Sequence, residues 1–96
     1  MTYKLTFLKS AKKEWDKLGE TLKNPLKKKL VERLENPWVT KDKLTGMEDC
    51  FKIKLKSSGY RLVYRVLEKR VVIQVIAIAR RDKEEVYRLA QKRMSN

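Results

Sequence analysis

The feature of this sequence that most constrains its fold is the stretch 51–79, which contains three strand-like segments in succession. From Phe51 to Lys56, apolar residues alternate strictly with lysines, which is the period of a half-buried strand. The turn signal Ser57-Ser58-Gly59 follows, and the segment from Tyr60 to Leu67 is therefore predicted to be the hairpin partner. After a second turn, the apolar run from Val71 to Ala79 is typical of a central strand buried on both faces.

A strand and two helices are predicted ahead of this hairpin. The alternation from Tyr3 to Leu8 indicates the strand. The first helix should begin at about Ser10, an acceptable N-cap, and close at Gly19. The second should start between Thr21 and Pro25, because proline is tolerated only in the first turn, and should end at Asn36-Pro37. Its apolar stripe repeats at every fourth residue, with one valine beside the leucines: Leu22, Leu26, Leu30, Leu34 and Val31.

A last helix is predicted near the C-terminal end, where Asp82 and Glu85 form a capping pair. The predicted order is therefore β-α-α-β-β-β-α. Such a chain is expected to be an α+β domain, in which helices pack on one face of a small, mainly antiparallel sheet of about four strands. With 96 residues, the sequence predicts one domain that spans 1–96.

The net charge narrows the class of partner. The chain has 25 Lys and Arg residues against 12 Asp and Glu residues, a formal charge of +13. This excess on so small a body indicates a polyanion, because lysine and arginine release condensed counterions when they meet phosphates. The alternatives are an acidic protein, an anionic membrane surface, or nucleic acid and protein in turn. No membrane span is expected, since the longest apolar run, Val71 to Ala79, is far shorter than the roughly 20 residues required.

The chain has no histidine, and Cys50 is its only cysteine. One cysteine cannot form an internal disulfide and fits a reducing compartment; without a signal peptide after Met1, a cytoplasmic protein is expected. Zinc sites draw on clustered cysteine and histidine ligands, so no metal and no cofactor is predicted. Any enzyme of this composition must move protons without the usual near-neutral base.

Strand alternation is predicted to collect basic side chains on one open face of the sheet. If Leu62 joins the core, the residues expected on this face are Lys52, Lys54, Lys56, Arg61 and Arg65. The third strand of the stretch ends in Arg80-Arg81, just before a helix N-terminus that favours an anion. Every charged residue between Phe51 and Val66 is basic. Because like charges opposite one another destabilise a sheet, this face is expected to bind phosphate rather than to be a solvated surface.

Three kinds of side chain would then supply chemistry. Lys52 and Lys54 lie two residues apart on one face, where like charges disfavour each other, so either is a candidate for proton transfer. Arg61 and Arg81 would grip a phosphate and stabilise charge that develops on it. Tyr87, early in the last helix, would stack on a base.

Several segments, in register with the predicted strands, also carry a family resemblance. They are Lys43-Leu44 with Gly46-Met47, the run DCFKIK from Asp49 to Lys54, the run SSGYRLVY from Ser57 to Tyr64, and Arg81 ahead of Glu85-Val86-Tyr87. On these segments, and on the order of its predicted elements, the chain resembles the RelE family of the RelE/ParE toxin superfamily. The resemblance covers nearly the whole sequence.

This resemblance implies a toxin of a type II toxin–antitoxin system, an endoribonuclease that cuts mRNA in the A site of the 30S ribosomal subunit. The 2′-hydroxyl would attack the adjacent phosphate without a metal, leaving a 2′,3′-cyclic phosphate and a 5′-hydroxyl. By position, the family's functional set falls on Lys52, Lys54, Arg61, Arg81 and Tyr87. Either lysine would transfer the proton, Arg61 would bind the phosphate and Tyr87 would orient the base. Arg81 would act electrostatically, because a guanidinium hardly deprotonates.

Further contacts with RNA or the ribosome are expected from basic residues outside this set: Lys56, Arg65, Arg80, Lys27 and Lys28. The resemblance also implies a RelB-type antitoxin that wraps the basic surface, with contacts to operator DNA made only by the antitoxin. The sequence departs from the family pattern at Thr45, where close relatives often carry an arginine. That departure puts in doubt one contact with the RNA backbone or ribosomal RNA.

Two other functions remain open from the sequence. A ParE-like gyrase poison would share the fold without nuclease activity, although retention of the five functional residues argues against it. A non-enzymatic basic protein that binds RNA or the ribosome would satisfy the charge alone.

Overall fold

The structure is a computed structural model that describes residues 2–80 and 85–95. In these residues the strands are β1 (Lys4–Phe7), β2 (Cys50–Lys54), β3 (Tyr60–Leu67) and β4 (Val72–Arg80), and the helices are α1 (Lys9–Asp16), α2 (Glu20–Glu35) and α3 (Glu85–Met94). Short 3-10 helices occupy Thr40–Asp42 and Glu68–Arg70. The predicted order of elements and the α+β class are confirmed. Over the same residues, no helix has both the length and the apolar character needed to cross a membrane.

The four strands form one sheet in the order β1-β4-β3-β2. β3 pairs antiparallel with β2 and with β4, while β1 pairs parallel with β4. The hairpin between β2 and β3 turns where the sequence predicts it, and Gly59 there has a φ of 79°, which glycine adopts without steric strain. β4 is central and has buried side chains on both faces, as its apolar sequence indicates.

The first face of the sheet packs against α1 and α2. Leu26 and Leu30, the middle of the predicted leucine stripe, are fully covered, and Leu22 and Leu34 at its ends are half-buried. Val31 was expected beside them but is 57% exposed, because successive helix positions lie about 100° apart and turn it away from the sheet. This first core contains the apolar side chains of β2, as the alternation predicts.

The second face of the sheet is covered in part by α3, so the prediction that the helices gather on one face is wrong. Val86 and Ala90 of α3 pack on Val63 and Ala77, whose side chains alternate with those of the first core. A β-bulge in β4 adds Ile76 to this second core. In β3, Val63 points to the same face as Arg61 and Arg65. Because Val63 is apolar, this face too requires a helix over part of its surface.

Two helix boundaries also differ from the predictions. α1 begins at Lys9, so Ser10 lies inside it, and Gly19 is the N-cap of α2 with an extended backbone rather than the end of α1. α2 begins at Glu20, which places Pro25 in its second turn. Proline there leaves the carbonyl of Thr21 without its helical donor, at an exposed position where water can replace it. Asp82 of the predicted capping pair lies outside the described residues.

Side chains close the part of β4 that extends beyond β1, which pairs only with Val72 to Val75. The backbone N–H of Ile78 donates to Glu14 Oε1 at 3.0 Å, and Arg93 Nη1 donates to the carbonyl of Ile76 at 2.8 Å. Arg93 and Glu14 also form an ion pair at 2.7 Å, with both side chains mostly covered. This pair ties α3 to α1 across the free edge of the sheet.

Glu14→Ala should therefore lower the free energy of unfolding by about 1–3 kcal/mol, because it leaves a backbone donor and a guanidinium without their acceptor. The matched control is Asp16→Ala in the same helix, whose partner Lys12 is exposed and which should cost no more than about 0.5 kcal/mol. Urea denaturation followed by circular dichroism measures both. Equal losses in the two variants would contradict the edge-closing role of Glu14.

Candidate active site

The strand register brings three of the predicted functional residues onto one face. Lys54 lies directly opposite Arg61, and Lys52 lies directly opposite Val63. Opposite residues in antiparallel strands point to the same face, with Cβ atoms about 4.5–5.5 Å apart. Leu62 is fully buried in the first core. This is the condition under which Arg61, its neighbour in β3, points to the opposite face. Lys52, Lys54 and Arg61 are therefore neighbours on the second face, where Lys54 stays exposed.

Tyr87 reaches this group from α3. Because its neighbour Val86 anchors the helix in the second core, the half-buried Tyr87 is held beside β3. Arg61 Nη1 donates to Tyr87 Oη at 3.2 Å, and the guanidinium carbon lies 5.8 Å from the ring centroid. These contacts orient Arg61 in the absence of a ligand.

The exposed end of this face borders an open cleft of about 490 Å³, hereafter the first cleft. Its lining comes from the β2–β3 hairpin and the end of β4: Lys54, Leu55, Lys56, Ser57, Ser58, Gly59, Arg61 and Arg80. In the part of the chain that the structure describes, every charged residue of this lining is basic. The first cleft is thus suited to an anion, and it includes Lys56 and Arg80, which the sequence places among the RNA-binding residues.

The other predicted residues lie elsewhere. Arg65 is half-buried opposite Cys50, and its Nε is buried with no hydrogen-bond partner among the described residues. Lys27 and Lys28 are exposed on α2 and do not line the first cleft. Arg81 lies outside the described residues.

Arg33 was not among the predicted functional residues, and it supports β2 from outside the sheet. Its Nη1 donates to the carbonyl of Lys52 at 3.2 Å and to Tyr64 Oη at 2.9 Å, and its Nη2 is 2.6 Å from Asp42 Oδ2. Tyr64 Oη in turn donates to the carbonyl of Pro37 at 2.7 Å. Arg33 thereby fixes the backbone of the strand that carries Lys52. An arginine three residues after Leu30, on the flank of the leucine stripe, was the one available signal.

Cys50 is unsuited to nucleophilic chemistry. Burial raises the pKa of its thiol to about 11, although the charge of Arg65 lowers it and that of Asp49 raises it further. The thiol Sγ lies 3.2 Å from Met94 Sδ at the end of α3. Near neutral pH the thiol is protonated and covered, so Cys50 serves packing.

The Cys50 thiol should accordingly react with a disulfide reagent at least about 100-fold more slowly in the native protein than in denaturant, because raising its pKa from 9.0 to about 11 lowers the thiolate fraction by that factor. Absorbance of the released aryl thiolate measures the rate. Native labelling as fast as in denaturant would mean that Cys50 is accessible and ionised.

Comparison with known proteins places this chain in a family. A family model described as the ParE toxin of type II toxin–antitoxin systems (parDE) matches residues 5–85. The chain is 55% identical over 94 residues to the mRNA interferase toxin RelE of Escherichia coli K12, an alignment that covers 98% of this chain and 99% of that protein. It belongs to the RelE family of toxins.

Solved RelE structures agree with the fold described above. A free double arginine variant of E. coli RelE superposes with a TM-score of 0.90 at 54% identity and covers 98% of this chain and 99% of that chain. The RelE chain in the intact E. coli RelBE toxin–antitoxin complex superposes with a TM-score of 0.82 at 54% identity, covering 84% of this chain and 99% of that chain.

Thr45, where the sequence analysis expects a departure from the RelE pattern, lies close to the candidate site. Thr45 and Tyr87 line the same cleft of about 300 Å³, between the loop before β2 and α3. A threonine at this position presents a hydroxyl where an arginine would present a charge. The difference therefore concerns the surroundings of Tyr87, which the sequence predicts to stack on a base, rather than those of Lys54 and Arg61.

Proposed function

We propose that this chain is the toxin of a type II toxin–antitoxin system and acts as an endoribonuclease that cuts mRNA in the ribosomal A site. The observation that carries the proposal is the grouping of Lys52, Lys54, Arg61 and Tyr87 on one partly open face, in a RelE-family chain. The 55% identity over almost the full length to a protein named mRNA interferase toxin RelE supports the activity. The mRNA is the proposed substrate, and the ribosome is the proposed partner that presents it.

The proposed reaction is an internal transesterification. The 2′-hydroxyl oxygen bonds to the adjacent phosphorus while the bond to the 5′ oxygen breaks, so the products are a 2′,3′-cyclic phosphate and a 5′-hydroxyl. Lys52 or Lys54 takes the proton of the 2′-hydroxyl, and the leaving 5′ oxygen takes a proton from solvent water. Arg61 binds the phosphate and stabilises its added charge, helped by Arg81. Tyr87 stacks on the base and fixes its orientation.

Dependence on the ribosome follows from the same residue types. Lysine and arginine are poor proton-transfer groups near neutral pH compared with histidine, which this chain lacks. The rate must then come largely from holding the RNA with the 2′-hydroxyl in line with the bond that breaks. A ribosome that presents an extended codon in the A site would provide that geometry.

The partner proposed for the free toxin is a RelB-type antitoxin, as in the E. coli RelBE complex whose toxin chain this chain resembles. An acidic antitoxin would neutralise the basic face and block the first cleft. In the proposed operon the toxin–antitoxin complex represses its own transcription, with DNA contacts made by the antitoxin.

A ParE-like gyrase poison is the second candidate, because the matching family model is described by the ParE name. A gyrase poison has no chemical use for Lys52, Lys54 and Arg61 grouped on one face. Their grouping therefore favours the nuclease. An assay of DNA supercoiling by gyrase separates the two, since the proposed toxin should leave it unchanged.

The test of the nuclease is an assay with purified protein and programmed ribosomes, in which the mRNA ends are mapped. A cut inside the A-site codon is expected when the A site is empty, and none when a tRNA occupies it. Absence of any codon-dependent cut would sink the enzymatic proposal.

Removal of Arg61 tests the assigned site. Arg61→Ala should lower the cleavage rate on ribosomes by about 10²–10³-fold, because one preorganised donor to the developing charge is lost. Arg70→Ala, which removes the same charge from an exposed 3-10 helix, is the matched control and should keep the rate within about 2-fold.

Arg81→Ala should abolish growth arrest in cells while the protein stays folded, and persistent toxicity would exclude Arg81 from the site.

A further inference from the structure

A second basic cleft, of about 510 Å³, lies beside the first and across the outer edge of β2. It runs between α2, the 3-10 helix Thr40–Asp42 and β2. Lys54 and Lys56 line both clefts, so the two clefts adjoin at these side chains. The basic surface therefore continues beyond the first cleft.

The second cleft is rich in cations that have no carboxylate partner. Lys29 of α2 and Lys41 of the 3-10 helix line it and are exposed, in addition to the two shared lysines. Of its two acidic residues, Asp42 is neutralised by Arg33 at 2.6 Å, which leaves Glu32. Across residues 2–80 and 85–95, neither Lys29 nor Lys41 is in an ion pair.

The floor of this cleft is held in place before any ligand binds. Arg33 links α2 to the carbonyl of Lys52 and to Asp42, and is only 14% exposed at its side chain. The three segments that carry the lysines are thus fixed relative to one another. A prebuilt surface of this kind loses little conformational entropy on binding.

We propose that the second cleft binds the phosphate backbone of the same RNA strand whose phosphate occupies the first cleft. The proposal rests on the proposed function and extends it, because it gives the strand a path across the edge of β2. In the ribosome the codon on the 5′ side of the A-site codon is paired with tRNA, so the part of the strand assigned to the second cleft lies on the 3′ side. A lysine-lined cleft suits phosphates better than a protein segment, since protein interfaces are depleted in lysine and enriched in aromatic residues.

The test removes the two lysines that only the second cleft uses. The double variant Lys29→Ala with Lys41→Ala is compared with the double variant Lys17→Ala with Lys69→Ala, which removes equal charge at exposed positions outside both clefts. The probe is a short single-stranded RNA with 2′-O-methyl groups, which cannot be cut through a 2′-hydroxyl. Fluorescence anisotropy at about 50–200 mM salt gives the affinity and its salt dependence.

The cleft double variant should bind on the order of 10-fold more weakly than the wild-type protein at about 100 mM salt, and its salt slope should fall by about 1.4, since each phosphate contact on a single strand contributes about 0.7. The control double variant should match the wild-type slope. Equal slopes for the two double variants would overturn the proposal. So would a loss of antitoxin affinity without a loss of RNA affinity, which would assign the cleft to an acidic protein segment.

Programmed ribosomes distinguish mRNA from ribosomal RNA as the occupant. On long mRNA the cleft double variant should require more protein for half-maximal cleavage than the wild type. An mRNA that stops at the A-site codon should abolish this difference. A difference that persists would assign the cleft to ribosomal RNA and contradict the proposal. If the wild-type protein cuts no mRNA but the anisotropy results hold, the nuclease proposal fails while RNA binding in the cleft stands.

Discussion

The structure depends on how three helices cover a four-stranded sheet. α1 and α2 complete the first core, which leaves α3 alone for the second face. α3 covers the middle of that face, over Val63 and Ala77, and does not cover Lys54. Strand alternation then forces Lys54 and Arg61 side by side at the uncovered end, with no acidic residue in the cleft that the described residues form there. The concentrated positive charge is the consequence of this incomplete cover.

Two arginine–carboxylate pairs keep the site in register. Arg33 with Asp42 holds the outer edge of β2 at the carbonyl of Lys52. Arg93 with Glu14 closes the free edge of β4 and fastens α3, the helix that carries Tyr87. Because both pairs are largely covered, each holds its backbone partner more firmly than an exposed ion pair would. The strand with the lysines and the helix with the tyrosine are thus fixed from opposite edges of the sheet.

Local patterns predicted the elements and the face of the basic residues. The strict alternation of β2, the turn before Tyr60 and the burial of Leu62 were enough to place Lys54 beside Arg61. The helix over the second face was not predicted, because the arginines of β3 indicate an open face. Val63 lies in the same phase as those arginines, and as an apolar residue it needs a helix over it. The flank position of Arg33 beside the leucine stripe did not indicate its partners, and nothing in the sequence indicated the pair Arg93–Glu14, since no periodicity encodes such contacts.

In the proposed reaction, this cationic face promotes attack by a 2′-hydroxyl of the RNA itself. The most direct measurement places a single 2′-deoxynucleotide in the mRNA, on the 5′ side of the phosphate cut on programmed ribosomes. Cleavage at that phosphate should disappear, while cutting of the unmodified mRNA yields a 2′,3′-cyclic phosphate. Cleavage at an unchanged rate at the 2′-deoxy position would exclude the 2′-hydroxyl as the nucleophile.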